Sequence, residues 1–289
     1  HAHREKKLLR LVNQAKLHSF RTAPVYKHGH LVPRNHEQAM ELDAANNNTR
    51  WLDGETLELS QILDYNTFRD QGFAAPHPVG HKKITVHFVY DVKHDGRHKA
   101  RLVADGHLTE IPLESVYSGV VSLRGIRLLT FISELNGLEL WATDIGNAYL
   151  EARTKELVYI VAGPEFGDRE GHILVIEKAL YGLRTSGLRW HERLADCLRA
   201  EGFTPCKAEP DIWMRKCDTF YEYIAVYVDD LAIVMKDPKS FVDILNNKHK
   251  FKTKGTGPIS FHLGMDFIRD EDGTLNISPT KYIDKLIKK

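Results

Sequence analysis

Two adjacent acids, Asp229 and Asp230, interrupt an apolar stretch at residues 224–235. The flanking residues are β-branched or aromatic, so the stretch predicts two buried strands with the acids at the turn between them. Two buried and unpaired carboxylates would cost several kcal/mol, and a hard divalent cation would relieve that cost. An exposed Asp-Asp turn would need no chemistry, because turns favour aspartate. Taken alone, the segment leaves both interpretations open.

A third acid, Asp144, lies near the far end of a strand-like segment at residues 138–145. If this segment neighbours the acid hairpin in one sheet, Asp144, Asp229 and Asp230 form a carboxylate cluster fit for two Mg²⁺ ions. Two-metal phosphoryl transfer needs such a cluster, since one ion activates the attacking hydroxyl and both stabilise the transition state. The chemistry therefore depends on three acids from distant segments meeting in space.

Composition places the chain among ordinary globular proteins. It has 289 residues, of which 42% are hydrophobic and 27% charged, and its net charge is +1. A nucleic-acid ligand would therefore need a local basic patch. Residues 236–289 offer one, with ten Lys and one Arg against six Asp and one Glu. A solvated lysine-rich surface is the alternative interpretation of that excess.

Cysteine spacing and hydropathy exclude several other classes. The three cysteines form no Cys-x-x-Cys pair, so neither a disulfide framework nor a thiolate zinc site is indicated. No apolar run approaches the roughly 20 residues that span a bilayer, and the first residues lack an apolar signal region. We therefore expect an intracellular protein with no membrane partner.

The hydrophobic periodicity predicts an α+β fold with an antiparallel sheet. Lys99 and Arg101 share one face of a predicted strand that follows the Asp95-Gly96 turn, because alternate side chains point the same way. A loop is expected through Pro24 and Pro33. The expected helices cover residues 5–21, 37–63 with a break near 46–48, 122–136, 186–200, and the segments after Asp237-Pro238 and Ser278-Pro279. Besides the acid hairpin, the expected strands cover residues 84–90, 99–103, 138–145, 158–161 and 173–176.

Several short motifs occur together in one order along the chain. They are Lys-Ala-Arg-Leu-Val at 99–103, Asp-Ile-Gly-Asn-Ala-Tyr-Leu at 144–150, Ala-Leu-Tyr-Gly-Leu-Arg at 179–184 with Trp190, Tyr-Val-Asp-Asp at 227–230, Phe-His-Leu-Gly-Met at 261–265 and Lys-Tyr-Ile at 281–283. In these motifs the chain resembles the reverse transcriptases of copia-type long-terminal-repeat retrotransposons, from about Pro33 to the C-terminus.

The resemblance implies an α+β right-hand polymerase with fingers, a palm built on an antiparallel sheet, and a truncated thumb. The implied divisions are a helical arm at 1–60, fingers at 61–119 and 152–178, a palm with the primer-grip hairpin at 120–151 and 179–277, and the start of the thumb at 278–289. We expect no RNase H domain within this chain.

Carried over residue by residue, the resemblance also implies a metal site. Asp144 and Asp229 would bind both metal ions, and Asp230 would assist them. The implied cofactor is a pair of Mg²⁺ ions, for which Mn²⁺ can substitute. The implied reaction is attack of a primer 3′-hydroxyl on the α-phosphate of a deoxynucleotide, with release of pyrophosphate.

The nucleotide-binding residues implied by the resemblance are Lys93, Lys99, Arg101, Tyr149 and Gly182. The two lysines and Arg101 would hold the triphosphate, which suits arginine because its planar fork can grip phosphate oxygens in pairs. Tyr149 would exclude a ribose 2′-hydroxyl by its bulk. Without the motif around it, Tyr149 would be interpreted as a core tyrosine.

The remaining implications concern the primer and the partners. Phe261, Leu263, Gly264 and Met265 would form the primer grip. The partners would be an RNA or DNA template–primer duplex, deoxynucleoside triphosphates and other domains of a retroelement polyprotein. The expected location is a cytoplasmic retroelement particle or the nucleus, and not outside the cell.

The chain departs from the family pattern at three places. Thr-Ser-Gly-Leu stands at 185–188 instead of Gln-Ala/Ser-Pro-Arg, segment 106–122 is shorter than usual, and Gly-Thr-Gly at 255–257 replaces Asp-Leu-Gly. Two alternatives therefore stay open. One is a domesticated protein that binds nucleic acid without polymerising, which needs only basic grooves and stacking aromatics. The other is a metal-dependent nuclease, which leaves Lys99, Arg101 and Tyr149 without a role.

Overall fold

A computed structural model of the chain describes residues 23–114, 116 and 118–287. The helix expected at residues 5–21 lies outside these residues. The described chain is a mixed α+β fold, as its periodicity predicts. Its helices are α1 His36–Ala45, α2 Arg50–Asp64, α3 Leu123–Leu135, α4 Ser186–Ala200, α5 Pro238–Asn247 and α6 Thr280–Ile287.

The strands form five sheets, which are mostly antiparallel. The first nine strands are β1 Val25–Lys27, β2 His30–Val32, β3 Phe68–Phe73, β4 Lys82–Lys83, β5 Val86–Val92, β6 His98–Ala104, β7 Glu139–Ile145, β8 Val158–Val161 and β9 His172–Ile176. The others are β10 Thr204–Pro205, β11 Ile212–Cys217, β12 Phe220–Tyr227, β13 Asp230–Met235, β14 Thr253–Pro258, β15 Phe261–His262, β16 Met265–Arg269 and β17 Leu275–Ser278.

The largest sheet has six strands in the order β10-β11-β12-β13-β7-β14. It is buried on both faces, which explains why the residues beside the two acids are apolar without alternation. One face packs against α4 and α5 and the other against α3. The first face buries Ile224, Val226, Leu231, Ile233 and Met235. The second face buries Ala225, Ala232 and Val234.

A second core joins the hairpin β5–β6, the helices α1 and α2, and the four-stranded sheet β3-β9-β8-β4. Along β6, the side chains of Ala100, Leu102 and Ala104 are buried, whereas Lys99 and Arg101 lie on the opposite, partly exposed face. The face shared by Lys99 and Arg101 is therefore confirmed. The apolar face of the hairpin holds its basic face in place.

Near the start of the described chain, the structure differs from one expectation and agrees with another. The loop expected between Pro24 and Pro33 instead contains the hairpin β1–β2, closed at the positive-φ residues His28 and Gly29. The break near 46–48 is confirmed. There the carboxylate of Asp43 on α1 accepts the first backbone N–H groups of α2, so that one helix caps the next.

No helix among the described residues has the length and apolar character needed to cross a membrane. The three cysteines are free thiols, and Cys197 is buried in the core beneath the large sheet.

The small sheet β15-β16-β17 buries a histidine, His262, whose side chain is only 4% exposed. Its Nε2 has no hydrogen-bond partner among the described residues. Burial lowers the pKa of His262 from 6.5 to about 4. The imidazole is therefore neutral in the folded chain at pH values where the unfolded chain binds a proton.

We predict that acid destabilises the fold through His262. Between pH 7 and pH 5 the unfolded chain gains a proton at this residue and the folded chain does not, so the free energy of unfolding should fall by roughly 2 kcal/mol from this residue. Urea unfolding at both pH values, for the native chain and for His262→Gln, measures the difference. An equal fall in both proteins would contradict the prediction.

Candidate active site and nucleotide-binding cleft

The acid hairpin and the strand of Asp144 are direct neighbours in the large sheet. Asp230 on β13 pairs with Asp144 on β7, and the backbone N–H of Ile145 donates to the carbonyl oxygen of Asp229 at 2.9 Å. On the other side of β7, Lys254 of β14 also pairs with Asp144. The structure thus brings the three acids together and adds a lysine beside them.

The turn between β12 and β13 is tight and strained. Tyr227 pairs with Asp230, which leaves two central residues. The first, Val228, has φ +58, a region where β-branched residues are rare and where glycine is usual at this turn position. Trp190 of α4 is fully buried and donates from Nε1 to the carbonyl oxygen of Val228 at 2.7 Å. This hydrogen bond helps hold the turn in its strained conformation.

Like charges and burial act together on the carboxylates. Burial, followed by the charges of Asp229 and Asp144, raises the pKa of Asp230 to about 6. Burial and Asp229 also raise the pKa of Asp144, while Lys254 and Lys99 lower it. The excess negative charge at this point of the sheet is therefore only partly balanced by lysines.

The donor set suits a hard metal ion. Within the described residues, none of the three carboxylates has a hydrogen bond or an ion pair to a side chain, so their oxygens are available as ligands. As the side chains lie in this structure, no group of three or more histidine, cysteine, aspartate or glutamate residues in the described part of the chain is arranged to hold a metal ion. The fit of Mg²⁺ thus rests on the oxygen chemistry of the acids and on their shared, partly uncompensated charge.

A cleft of about 550 Å³ lies beside the acids, between α2 and the basic face of the β5–β6 hairpin. The cationic residues that line it are Arg50, Lys93, Arg97, Lys99, Arg101 and Lys254. Asn147, three residues after Asp144, also lines it, whereas the three acids do not. Lys254 connects the two features, because it pairs with Asp144 and lines the cleft. An anionic ligand in the cleft would therefore lie close to the carboxylates.

Tyr149 belongs to a row of side chains in contact with one another that begins in the cleft. The guanidinium of Arg101 lies 4.2 Å from the ring centre of Tyr181, and the rings of Tyr181 and Tyr149 are 4.8 Å apart. Tyr149 is half-buried against the core of the large sheet, and burial followed by the charge of Asp229 raises its pKa. The phenol is therefore neutral at physiological pH and lies close enough to Asp229 and Arg101 to be affected by both charges.

The backbone conformation and the close packing at residue 182 both require a glycine. Its φ is +91, and a Cβ there would lie 2.1 Å from the carbonyl oxygen of Ala104. The carbonyl of Tyr181 accepts the N–H of Ala104 at 2.7 Å, so the end of β6 packs directly on this loop. Gly182 does not line the cleft, and its predicted contact with nucleotide stays a prediction.

The residues predicted to form the primer grip lie apart from the cleft. Leu263 and Gly264 form the two-residue turn between β15 and β16, both with positive φ. Phe261 is exposed and Met265 is buried against the core shared with α3. The hairpin itself is present as predicted, and its contact with a primer stays a prediction.

Sequence reasoning missed Lys254 and the residues of α2 that line the cleft. Lys254 lies in the glycine-rich strand β14, whose sequence has no apolar alternation. On α2, Arg50, Leu57 and Gln61 share a helical face that its buried residues avoid, but a solvent-exposed face has the same pattern, so the sequence carried no signal for the cleft. The side chain of Asn147 donates to Gln61 Oε1 at 3.1 Å, which links α2 to the segment after Asp144.

Comparisons with known proteins agree with this geometry. Residues 74–289 match the family described as reverse transcriptase (RNA-dependent DNA polymerase), and the chain belongs to that family. The resemblance to copia-type retrotransposon proteins is thereby confirmed. Three curated relatives are retrovirus-related Pol polyproteins from plant transposons, which supports the same family on independent sequences.

The relatives are distant and much longer than this chain. The polyprotein of transposon TNT 1-94 of Nicotiana tabacum is 25% identical over 224 residues, covering 73% of this chain and 17% of the relative. The polyproteins of transposons RE1 and RE2 of Arabidopsis thaliana are 27% and 26% identical, over 81% and 86% of this chain and 16% and 17% of the relatives. The chain thus spans about a sixth of their length.

We predict that Trp190→Phe destabilises the fold by about 2–4 kcal/mol, because it removes the hydrogen bond to Val228 and leaves a void in the core. Trp141→Phe is the matched control. It removes an indole hydrogen bond to the exposed carboxylate of Glu139 and should cost less than about 1 kcal/mol for that bond. Urea unfolding measures both values, and equal losses would contradict a special role for the turn.

Proposed function

We propose that this chain is the polymerase domain of a retroelement reverse transcriptase, an RNA-directed DNA polymerase that adds deoxynucleotides to a primer 3′-hydroxyl on RNA or DNA templates. The observation that carries the proposal is the pairing of Asp144 with Asp230 beside a cationic cleft. A purely nucleic-acid-binding protein would not need carboxylates held together at a cost in free energy. The family membership of residues 74–289 supports the same conclusion.

In this proposal Asp144, Asp229 and Asp230 hold two Mg²⁺ ions. When bound, the ions would acidify the primer hydroxyl and stabilise the negative charge of the transition state. The paired strands β7 and β13 fix the spacing of Asp144 and Asp230, because their backbones are hydrogen-bonded to one another. Asp229 lies in the tight turn before β13, and its carbonyl oxygen accepts the backbone N–H of Ile145.

The cationic cleft would receive the triphosphate of the incoming nucleotide. Lys99 and Arg101 project from the rigid hairpin into the cleft, and Lys93 lines the same space. Arg101 is further oriented by its stacking on Tyr181. These contacts would align the α-phosphate with the primer hydroxyl and lower the entropic part of the barrier. Tyr149 would occupy the place where a ribose 2′-hydroxyl projects.

The proposal also gives the sheets the roles of a right-hand polymerase. The large sheet with Asp144 and the acid hairpin would be the palm, and the β5–β6 hairpin with the four-stranded sheet would be the fingers. The β15–β16 hairpin would grip the primer, and α6 would begin the thumb. The native partners would be a template–primer duplex, deoxynucleoside triphosphates and other parts of a retroelement polyprotein in a cytoplasmic particle or the nucleus.

We predict that Asp229→Asn lowers primer extension on a homopolymer template with Mg²⁺ by roughly 100-fold or more, because it removes one charge that holds the metal ions. Asp218→Asn is the matched control, since Asp218 is an exposed acid in the neighbouring β11–β12 turn of the same sheet. Full activity in Asp229→Asn would refute the metal assignment. No extension by the correctly folded native chain would favour the nucleic-acid-binding alternative.

We predict that Tyr149→Ala lowers the preference for deoxynucleotides over ribonucleotides by about 10-fold to 100-fold, because removal of the ring leaves room for a 2′-hydroxyl. Tyr149→Phe keeps the ring and should keep the preference. The measurement is the ratio of kcat/KM for the two nucleotides in single-nucleotide extension. An unchanged ratio in Tyr149→Ala would make Tyr149 a core residue only.

A further inference from the structure

Helix α2 forms one wall of the cleft although it precedes the residues matched by the reverse transcriptase family, which begin at residue 74. Its lining residues follow helical spacing and lie on one face, which extends about 16 Å along the axis. They are Arg50, Asp53, Gly54, Leu57, Glu58 and Gln61. The wall runs from the turn of the β5–β6 hairpin, near Gly96, to Asn147, near the acids.

Helix α2 contacts the backbone of β6 in addition to side chains of the hairpin such as Tyr90. Strands β5 and β6 form a two-stranded sheet, so within the described residues no further strand pairs with the outer edge of β6. At Gly54 the helix approaches this edge so closely that a Cβ would lie 3.5 Å from both the amide nitrogen of Ala100 and the carbonyl oxygen of His98. One turn further on, Glu58 Oε1 accepts the backbone N–H of Leu102 at 3.2 Å.

Glu58 is the only glutamate of α2 that reaches this edge in the described structure by a hydrogen bond, and it is 8% exposed. Burial raises its pKa, whereas the Leu102 N–H and then the charges of Arg101 and Lys99 lower it. The carboxylate is therefore close enough to feel both cations and is bonded to the residue that follows Arg101. The hydrogen bond from Leu102 to Glu58 fixes the backbone of β6, while contact with the Tyr181 ring holds the side chain of Arg101.

We propose that Glu58 is a positioning residue of the nucleotide-binding cleft, which sets the affinity for the triphosphate of a nucleotide by holding β6, and with it Lys99 and Arg101, against α2. This inference rests on the proposed function in so far as the ligand is a nucleoside triphosphate. A displacement of β6 along its axis by a fraction of an ångström would move both cations at once. Phosphate contacts depend steeply on such distances, because charge-assisted hydrogen bonds are short and directional.

The glutamate one turn earlier provides a matched control. Glu55 lies on the same helix and is 2% exposed. It accepts the hydroxyl of Tyr90 and lies 2.7 Å from His36 Nδ1, and none of these three residues lines the cleft. A substitution at Glu55 therefore perturbs the packing of α2 without removing the bond to Leu102. Any effect that arises only from loss of stability should be the same at both positions.

The test measures binding of deoxythymidine triphosphate with Mg²⁺ to the full chain by isothermal titration calorimetry, and primer extension in parallel. In Glu58→Ala we expect the dissociation constant to rise at least about fivefold and KM to rise with it, while kcat changes less than about twofold. Glu58→Gln keeps an acceptor for the Leu102 N–H and should restore most of the affinity. Glu55→Ala should bind nearly as the native chain does.

Glu58→Asp keeps the test decisive if Glu58→Ala does not fold. This variant retains the charge but is one methylene shorter, so it should bind the triphosphate more weakly than Glu58→Gln. Equal affinity in the native chain and in Glu58→Ala, or equal losses in Glu58→Ala and Glu55→Ala, would overturn the inference. So would absence of triphosphate binding by the native chain. Triphosphate binding that depends on Glu58 in a chain that extends no primer would instead overturn the proposed function and leave this inference standing.

Discussion

The pairing of β7 with β13 is the constraint on which the site depends, because it places Asp144 opposite Asp230 and forces like charges together. Burial raises the pKa of both carboxyls, and the charge of Asp229 raises both further, with Asp144 adding to the effect on Asp230. What sustains the pairing is the sheet around it, which is buried on both faces by α3, α4 and α5. Backbone hydrogen bonds in such a sheet cannot shift by one residue without turning every apolar side chain to the wrong face. The strand register of this buried sheet therefore holds Asp144 and Asp230 side by side.

The surrounding core also holds the strained turn that carries Asp229. A valine with positive φ costs about 1–3 kcal/mol, and the surrounding packing has to outweigh that cost. Trp190 does so directly, since it is buried in the core of the sheet and bonded to the carbonyl of Val228. The motif that contains Trp190 and the motif that contains the acids are separate in sequence. Because Trp190 supports the turn that carries the acids, the two motifs depend on each other physically.

Much of the fold could be predicted because apolar periodicity encodes it. Helix α4 begins and ends where its buried stripe and Gly202 indicate, and the two strands of the acid hairpin follow from an apolar run on each side of the acids. Strand β14 could not be predicted, since Thr-Lys-Gly-Thr-Gly-Pro shows no alternation and becomes a strand only by pairing with β7. Lys254 was missed for that reason. The cleft-lining face of α2 was missed because a polar helical face has the same pattern whether it meets solvent or a ligand.

The cleft and the acids are joined by side chains from three separate segments. Arg101 on β6 stacks on Tyr181, which lies against Tyr149 beyond Asp144, so the hairpin cannot move relative to the large sheet without breaking these contacts. The bond from Ala104 to Tyr181 ties the backbones at the same place, and the glycine at 182 permits that approach. In the proposed function the cations of the cleft would hold a triphosphate and the carboxylates would hold metal ions, so the two groups would have to keep a suitable separation. The contacts of Arg101, Tyr181 and Tyr149 would maintain that separation.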